Sequence, residues 1–237
     1  MTHHFLKSLI LSIILCPWSL IGHAGSTTEE SNKPETKKTA TTSPGVLEKI
    51  VFVPHDFGAP DVTEAAGVRG APQVAIQLLA PEQLSRTLSE TPTFYWYVSQ
   101  PIDQHRFTLI DEQAIDPLLE VILDPVEKAG IYSLSLANHD IALEAPGLYR
   151  WSIAASLNED PIAAETVAQT VIAYDGLVEE APINLPPAEL SGYFAGNGYW
   201  YDLLDLISRQ PEEADGVCWH ELRDDVLEQV GLTLPSE

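Results

Sequence analysis

Leu143-Glu144-Ala145-Pro146-Gly147-Leu148-Tyr149-Arg150-Trp151 is the stretch on which the fold turns. Pro146-Gly147 marks a turn. Beyond it Tyr149, Trp151, Ile153, Ala155 and Leu157 alternate with Arg150, Ser152 and Ala154. Side chains on a strand point alternately to its two faces, so this period of two puts the aromatic and aliphatic set on one face, against a core.

Working outward, Phe94, Trp96 and Val98 alternate in the same way with Tyr95 and Tyr97. Similar runs occur at residues 50–53, 74–79, 107–110, 118–123, 131–136 and 165–174, broken by Pro81, Pro92, Pro101, Asp124-Pro125 and Asn138. About eight short strands at this spacing between residues 46 and 176 predict a mainly β domain, an antiparallel immunoglobulin-like β-sandwich, with a closed barrel as the lesser alternative. The opening stretch resembles the corner of immunoglobulin-like and fibronectin-type domains. There a tyrosine near a strand start hydrogen-bonds back to upstream backbone and fixes the crossing between sheets. A plain Pro-Gly turn is the competing reading.

After Gly176 the period changes. Trp200, Leu203, Leu204 and Ile207 fall at i, i+3, i+4 and i+7, with Asp202, Asp205 and Arg209 on other faces, which predicts an amphipathic helix. A second has Trp219, Leu222, Val226 and Val230 as its apolar stripe and Gly231 as its stop. A shorter one from Pro187 to Ala195 precedes both and is closed by Gly196-Asn197-Gly198. Residues 177–237 are thus expected as a helical segment of two or three α-helices packing on the sandwich.

The first 24 residues have the order of a signal peptide: Lys7, an apolar run from Leu9 to Leu15, and small residues at Gly22 and Ala24. The apolar stretch is about 14 residues long, short of the roughly 18–20 that span hydrocarbon, so the mature chain is expected to carry no transmembrane anchor. Export to the periplasm or the extracellular space, with cleavage near Ala24, is the expectation. Cys16 offers a lipoprotein-like alternative, against which stands the large Leu15 before it. Residues 25–45 contain no large apolar side chain, and their three acids and three bases cancel. Such a segment cannot bury enough surface to offset its ordering entropy, and it is expected as a disordered spacer rich in Thr, Ser, Lys and Glu.

The formal net charge is −23, and losing Lys7 with the signal deepens it to −24. Nucleic-acid phosphates and anionic membrane surfaces are bound through lysine and arginine, so neither is an expected partner. Once Cys16 has left with the signal, Cys218 is the one cysteine remaining, and no disulfide can form within the chain. Stability must come from a packed core.

No hydrolase elbow, phosphate-binding glycine loop or zinc-spaced Cys/His cluster is present. His55, His105, His139 and His220 are scattered, and the neighbours His55-Asp56, His139-Asp140 and His220-Glu221 are expected to point apart. The acid groups Asn158-Glu159-Asp160, Glu179-Glu180, Glu212-Glu213-Asp215 and Asp224-Asp225 lack the alternating ligands of a calcium loop and read as solvated turns. Cys218, beside Trp219, reads as a small buried hydrophobe. No cofactor, metal site or catalytic residue is assigned. The sharper candidates are aromatic. Tyr193, Tyr199 and Tyr201 could stack on a sugar or anchor a protein partner, or they could pack the helical segment onto the sandwich.

Several blocks together resemble a known family: Phe52-Val53-Pro54, Gly58-Ala59-Pro60, Arg69-Gly70, the Pro92 to Val98 run, Gly147-Leu148-Tyr149-Arg150-Trp151 and Gly198-Tyr199-Trp200-Tyr201-Asp202-Leu203-Leu204. They are similar to the successive blocks of the domain-of-unknown-function family 928 (DUF928), whose members are mostly cyanobacterial and usually exported. The likeness covers roughly residues 53–234. Asp61 and Glu64 stand where that family often carries Arg and Gly, so no role for a basic loop follows here. The resemblance implies a compartment and an organisation but no reaction.

The sequence therefore predicts a non-enzymatic exported module that binds a protein or glycan of the cell envelope. An envelope hydrolase or carbohydrate-active enzyme using loop carboxylates is the alternative, and docking of the helical segment onto a helical-repeat protein is a third reading. Intact mass of the exported chain is expected to correspond to a start at Gly25. A mass carrying a diacylglyceryl group on Cys16 would overturn the reading of a freely released domain.

Overall fold

The computed structural model describes residues 49–54, 76–156, 166–176, 182, 184–214 and 217–235. The expected signal peptide and spacer lie outside these residues, as do His55, the group 158–160, Glu179-Glu180 and Asp215.

Among the described residues eight strands form two sheets, as a sandwich requires. They are β1 (Ile76–Leu78), β2 (Ser85–Thr87), β3 (Thr93–Val98), β4 (Gln104–Asp111), β5 (Leu119–Leu123), β6 (Gly130–Ser135), β7 (Gly147–Ser156) and β8 (Thr166–Tyr174). The smaller sheet has the order β1-β3-β6 and the larger β2-β8-β7-β4-β5. All pairings are antiparallel except that of β2, which runs parallel to β8 with Ser85 opposite Ile172. The inward rows are those expected from the alternation. Phe94, Trp96 and Val98 of β3 face Phe107 and Leu109 of β4 and Trp151 and Ile153 of β7, and all are buried. Phe94 packs against Phe107 and Trp151 with ring centroids 5.2 and 5.0 Å apart.

The corner before β7 is built as the resemblance implies. Tyr149 Oη donates to the Glu144 carbonyl and accepts from the Glu144 N–H, both at 2.8 Å. One buried side chain thereby satisfies both main-chain polar groups of Glu144 in an exposed turn. Gly147 is required there: a Cβ on it would lie 2.5 Å from the Tyr149 ring and 2.6 Å from the Glu144 carbonyl oxygen.

Three helices follow, α1 (Pro187–Gly196), α2 (Trp200–Ser208) and α3 (Trp219–Gln229). The first and last end in the same way. At α1, Gly198 (φ 72°) lets Tyr199 N–H reach the Phe194 carbonyl. At α3, Gly231 (φ 79°) lets Leu232 N–H reach the Leu227 carbonyl. A left-handed residue at this position favours glycine because it lacks a Cβ. A two-stranded ribbon, β9 (Glu213–Ala214) and β10 (Val217–Cys218), leads into α3.

Helix α2 is part of the sandwich core. Tyr201 lies edge-on to Phe94 at 5.8 Å, and its hydroxyl accepts the Trp151 indole N–H at 2.9 Å. Trp200 donates its indole N–H to the Leu79 carbonyl at 2.8 Å. The run at residues 50–53, expected as a strand, is instead an extended segment held by the helices. Ile50 and Phe52 are buried, and Phe52 meets Trp200 edge-on at 5.0 Å. The Gln229 side chain accepts from Phe52 N–H at 2.9 Å and donates to the Ile50 carbonyl at 3.0 Å, doing for this segment what a neighbouring strand would do.

Two substitutions check this account. Tyr149→Phe leaves the Glu144 N–H and C=O without partners, and Tyr201→Phe strands the Trp151 N–H. Each is expected to cost about 1–3 kcal/mol in chemical denaturation. A loss below about 0.5 kcal/mol for both would show that neither bond matters to the fold.

Candidate functional site

The aromatic residues singled out in the sequence are drawn together, but mostly inward. Tyr201 is 2% exposed and Tyr199 5%, so neither presents a ring face to a sugar or a partner. Tyr193 remains half-buried on α1 and stacks on Tyr199 at 6.3 Å. Tyr199 also lies under the Arg86 guanidinium, 4.8 Å from its ring centre. Burial pushes the Tyr199 hydroxyl up, with the Arg86 charge working against the shift. Arg86 itself pairs with Asp175. Packing of the helical segment onto the sheet edge uses these rings.

Asp202, on α2, closes the same edge. Its carboxylate accepts from the Leu88 N–H at 3.0 Å and from the Thr87 hydroxyl, at the end of β2. Burial outweighs these bonds and pushes its pKa up to about 6. On the far side of the core, His105 is buried edge-on to Trp96 at 6.2 Å. Burial lowers its pKa below 6.5, against the pull of Asp124.

Two surface features remain open. The first is a cavity of about 670 Å³ between α3, the segment 232–235 and the strands β3 and β6. Tyr97, Ile131 and Leu227 form part of its wall, with Glu212, His220, Arg223 and Asp224 among its polar groups. At its end the structure brings together Cys218, His220 and Glu221, although the neighbours His220 and Glu221 were expected to point apart. Cys218 is half-exposed where a buried residue was expected, and its Sγ lies 3.4 Å from His220 Nδ1. One donor atom from each of the three residues lies within 4.8 Å of the others. Adjacent side chains diverge on a regular helix, but Cys218 precedes the first turn of α3 with φ −88° and ψ 88°, and this non-helical residue turns its thiol back over the helix start.

The second feature is β5. It is the last strand of the larger sheet, and among the described residues no strand pairs with its outer side. Ile122 on this strand is 78% exposed, and in the preceding turn Ile115 and Leu118 are 97% and 41% exposed. Asp116, Glu120, Asp124 and Glu127 are exposed along and beside the same strand. An apolar edge of this kind is a template for strand addition, which its charges restrain.

A family model described as a domain of unknown function, DUF928, matches residues 64–234. The chain belongs to the DUF928 family. Among curated proteins none matches. The DUF928 match takes in both sheets and all three helices, so the edge of β5 and the Cys218 cluster both lie in the family domain. No helix among the described residues is long and apolar enough to cross a membrane.

His105 and Asp202 act in opposite senses on stability. His105 holds a proton less well folded than unfolded, so stability falls with pH below 6.5. Asp202 holds one better, so its stabilising contribution is present at low pH and is lost as pH rises from about 3.8 through about 6. Asp202→Asn keeps an acceptor oxygen for Leu88 and removes the buried charge. It is expected to raise stability above pH 7 by about 1–3 kcal/mol and to steepen the acid-side loss between about pH 6 and 4. Denaturant midpoints across pH measure both, and a loss of stability above pH 7 would show that the charge itself is needed.

Proposed function

We propose that this DUF928 protein is an exported, non-enzymatic interaction module of the cell envelope, and that the edge of β5 takes an extended segment of a partner protein. The observation that carries this reading is the open, apolar edge strand set among acids. Strand addition supplies main-chain hydrogen bonds to any extended peptide, and side chains alternating along it select which one. Exposed Ile122 and Leu118 favour apolar residues at alternate positions. Asp116, Glu120, Asp124 and Glu127 favour lysine or arginine between and beyond them.

The acidity argues against the obvious alternative occupant, a second copy of this chain. Two edges bearing the same acids, on mature molecules of charge −24, repel at low ionic strength. A basic partner gains from the field that a second copy must overcome. Export supports the reading through the form of the first 24 residues, and the interior position of Tyr199 and Tyr201 favours a protein over a glycan.

An extended eight-residue peptide in which valine and lysine take turns along one face, Val-Thr-Lys-Thr written twice, serves as the probe, with its counterpart carrying glutamate in place of lysine as control. The mature chain is expected to bind the basic peptide and not the acidic one, with backbone amide NMR shifts concentrated on residues 115–124. Affinity should fall at least about tenfold between low and physiological salt. Ile122→Lys, a surface change with little effect on folding, is expected to weaken binding by about fivefold or more. Shifts located elsewhere, or equal binding of the two peptides, would overturn the assignment.

A further inference from the structure

We infer that Cys218, His220 and Glu221 form a binding site for a single borderline divalent transition-metal ion of the zinc type. The three residues offer a thiolate sulfur, an imidazole nitrogen and a carboxylate oxygen, the donor set that zinc shares with few harder cations. Calcium and magnesium take oxygen ligands in larger number and are poor matches for a sulfur.

The geometry is close to what such an ion needs. A tetrahedral zinc with Zn–S of about 2.3 Å and Zn–N of about 2.0–2.1 Å holds its sulfur and nitrogen ligands about 3.6 Å apart. Cys218 Sγ lies 3.4 Å from His220 Nδ1 and 3.7 Å from Nε2. One donor atom from each residue lies within 4.8 Å of the others, but a sulfur almost equidistant from both ring nitrogens sits off either lone pair, so the exposed His220 ring and the Glu221 side chain must both turn to complete three-point ligation.

The backbone beneath the donors is held from two sides. Cys218 is paired with Glu213 in the β9–β10 ribbon, and Trp219 N–H donates to the Glu212 carbonyl at 2.9 Å. Trp219 is buried, which fixes the start of α3, and His220 and Glu221 follow within its first turn. Binding therefore orders side chains and little backbone, and this lowers its entropic cost. Three protein ligands leave one position of a tetrahedral ion open. His220 lines the 670 Å³ cavity together with Glu212, so that position is reached from the cavity, by water or by a donor group of a ligand. This site stands independently of the β5 edge, which lies on another strand and uses other residues.

Cobalt(II) is the spectroscopic probe, added to the reduced mature chain, with zinc as competitor. One equivalent is expected to give a sulfur-to-cobalt charge-transfer band in the near ultraviolet and intense visible bands of four-coordination, both abolished by one equivalent of zinc. Cys218→Ser is expected to lose the charge-transfer band. His220→Ala and Glu221→Gln are expected to weaken binding at least about tenfold. Near-ultraviolet circular dichroism reports whether each variant is folded, and because His220 and Glu221 are exposed these two carry the test if Cys218→Ser is not. Diffuse binding of several equivalents without a sulfur band would mean that the acidic surface alone attracts the metal, and would overturn the site. So would a sulfur band indifferent to both His220→Ala and Glu221→Gln.

Discussion

The hydrogen bond from the Trp151 indole to the Tyr201 hydroxyl is the contact on which the rest of the molecule depends. Trp151 is fully buried at the centre of β7, between Phe94 and Phe107, and an unpaired indole N–H there would carry its whole desolvation cost. No strand supplies the acceptor. It arrives from α2, fifty residues later in the chain. The helical segment is therefore an inner component of the sandwich, because its removal would open a polar vacancy beside the largest rings of the core. Burial drives the Tyr201 hydroxyl far above its ordinary pKa, so it stays protonated at any physiological pH.

The same logic repeats around α2 with different chemistry. Trp200 satisfies the Leu79 carbonyl just past β1, Asp202 satisfies the Leu88 N–H just past β2, and Asp205 accepts from Tyr95 on β3 at 2.9 Å. The first two bonds occupy main-chain groups left over where a short strand stops, and the third holds a side chain on the outer face of β3. A helix laid across the open side of a sandwich meets strand ends in just this way. The apolar stripe of Leu203, Leu204 and Ile207 supplies the larger part of the adhesion through removal of surface from water. The polar contacts determine which helix fits and in what rotation.

Much of this was legible in the sequence wherever a period was sustained. The alternation through β3 and β7 marked the inner faces correctly, and Tyr149 with Gly147 announced the corner because both are needed at fixed positions by one steric and hydrogen-bonding arrangement. Ser85-Arg86-Thr87 was not legible: three residues, none of them apolar, carry no periodic signal, and their pairing with β8 is parallel and set by chain path. The run at residues 50–53 has the alternation of a strand and the burial to match, yet its partners are a helix and a glutamine side chain, which no local pattern encodes. Tyr199 and Tyr201 read as either surface or core because an aromatic at a helix start fits both. Cys218 read as a buried hydrophobe and His220-Glu221 as diverging neighbours, and no local pattern announces that a residue outside the helical region brings its thiol beside His220.

The two edges of the larger sheet show what the acidity of the chain accomplishes. At the β2 edge the open backbone is covered: Asp202 takes the Leu88 N–H, Arg86 spans Asp175 and the Tyr199 ring, and α2 packs over the strand. This closure costs a carboxylate held partly against its preferred charge state. The β5 edge has no such cover among the described residues, and its apolar side chains stand among Asp116, Glu120, Asp124 and Glu127. Charge on an edge strand deters identical molecules, since every copy carries the same sign in the same place. It does not deter a strand of opposite sign. Among the described residues one edge of the sheet is sealed by the chain's own helix and the other is guarded by like charge, and that asymmetry is the physical basis for our proposal of a basic partner at β5.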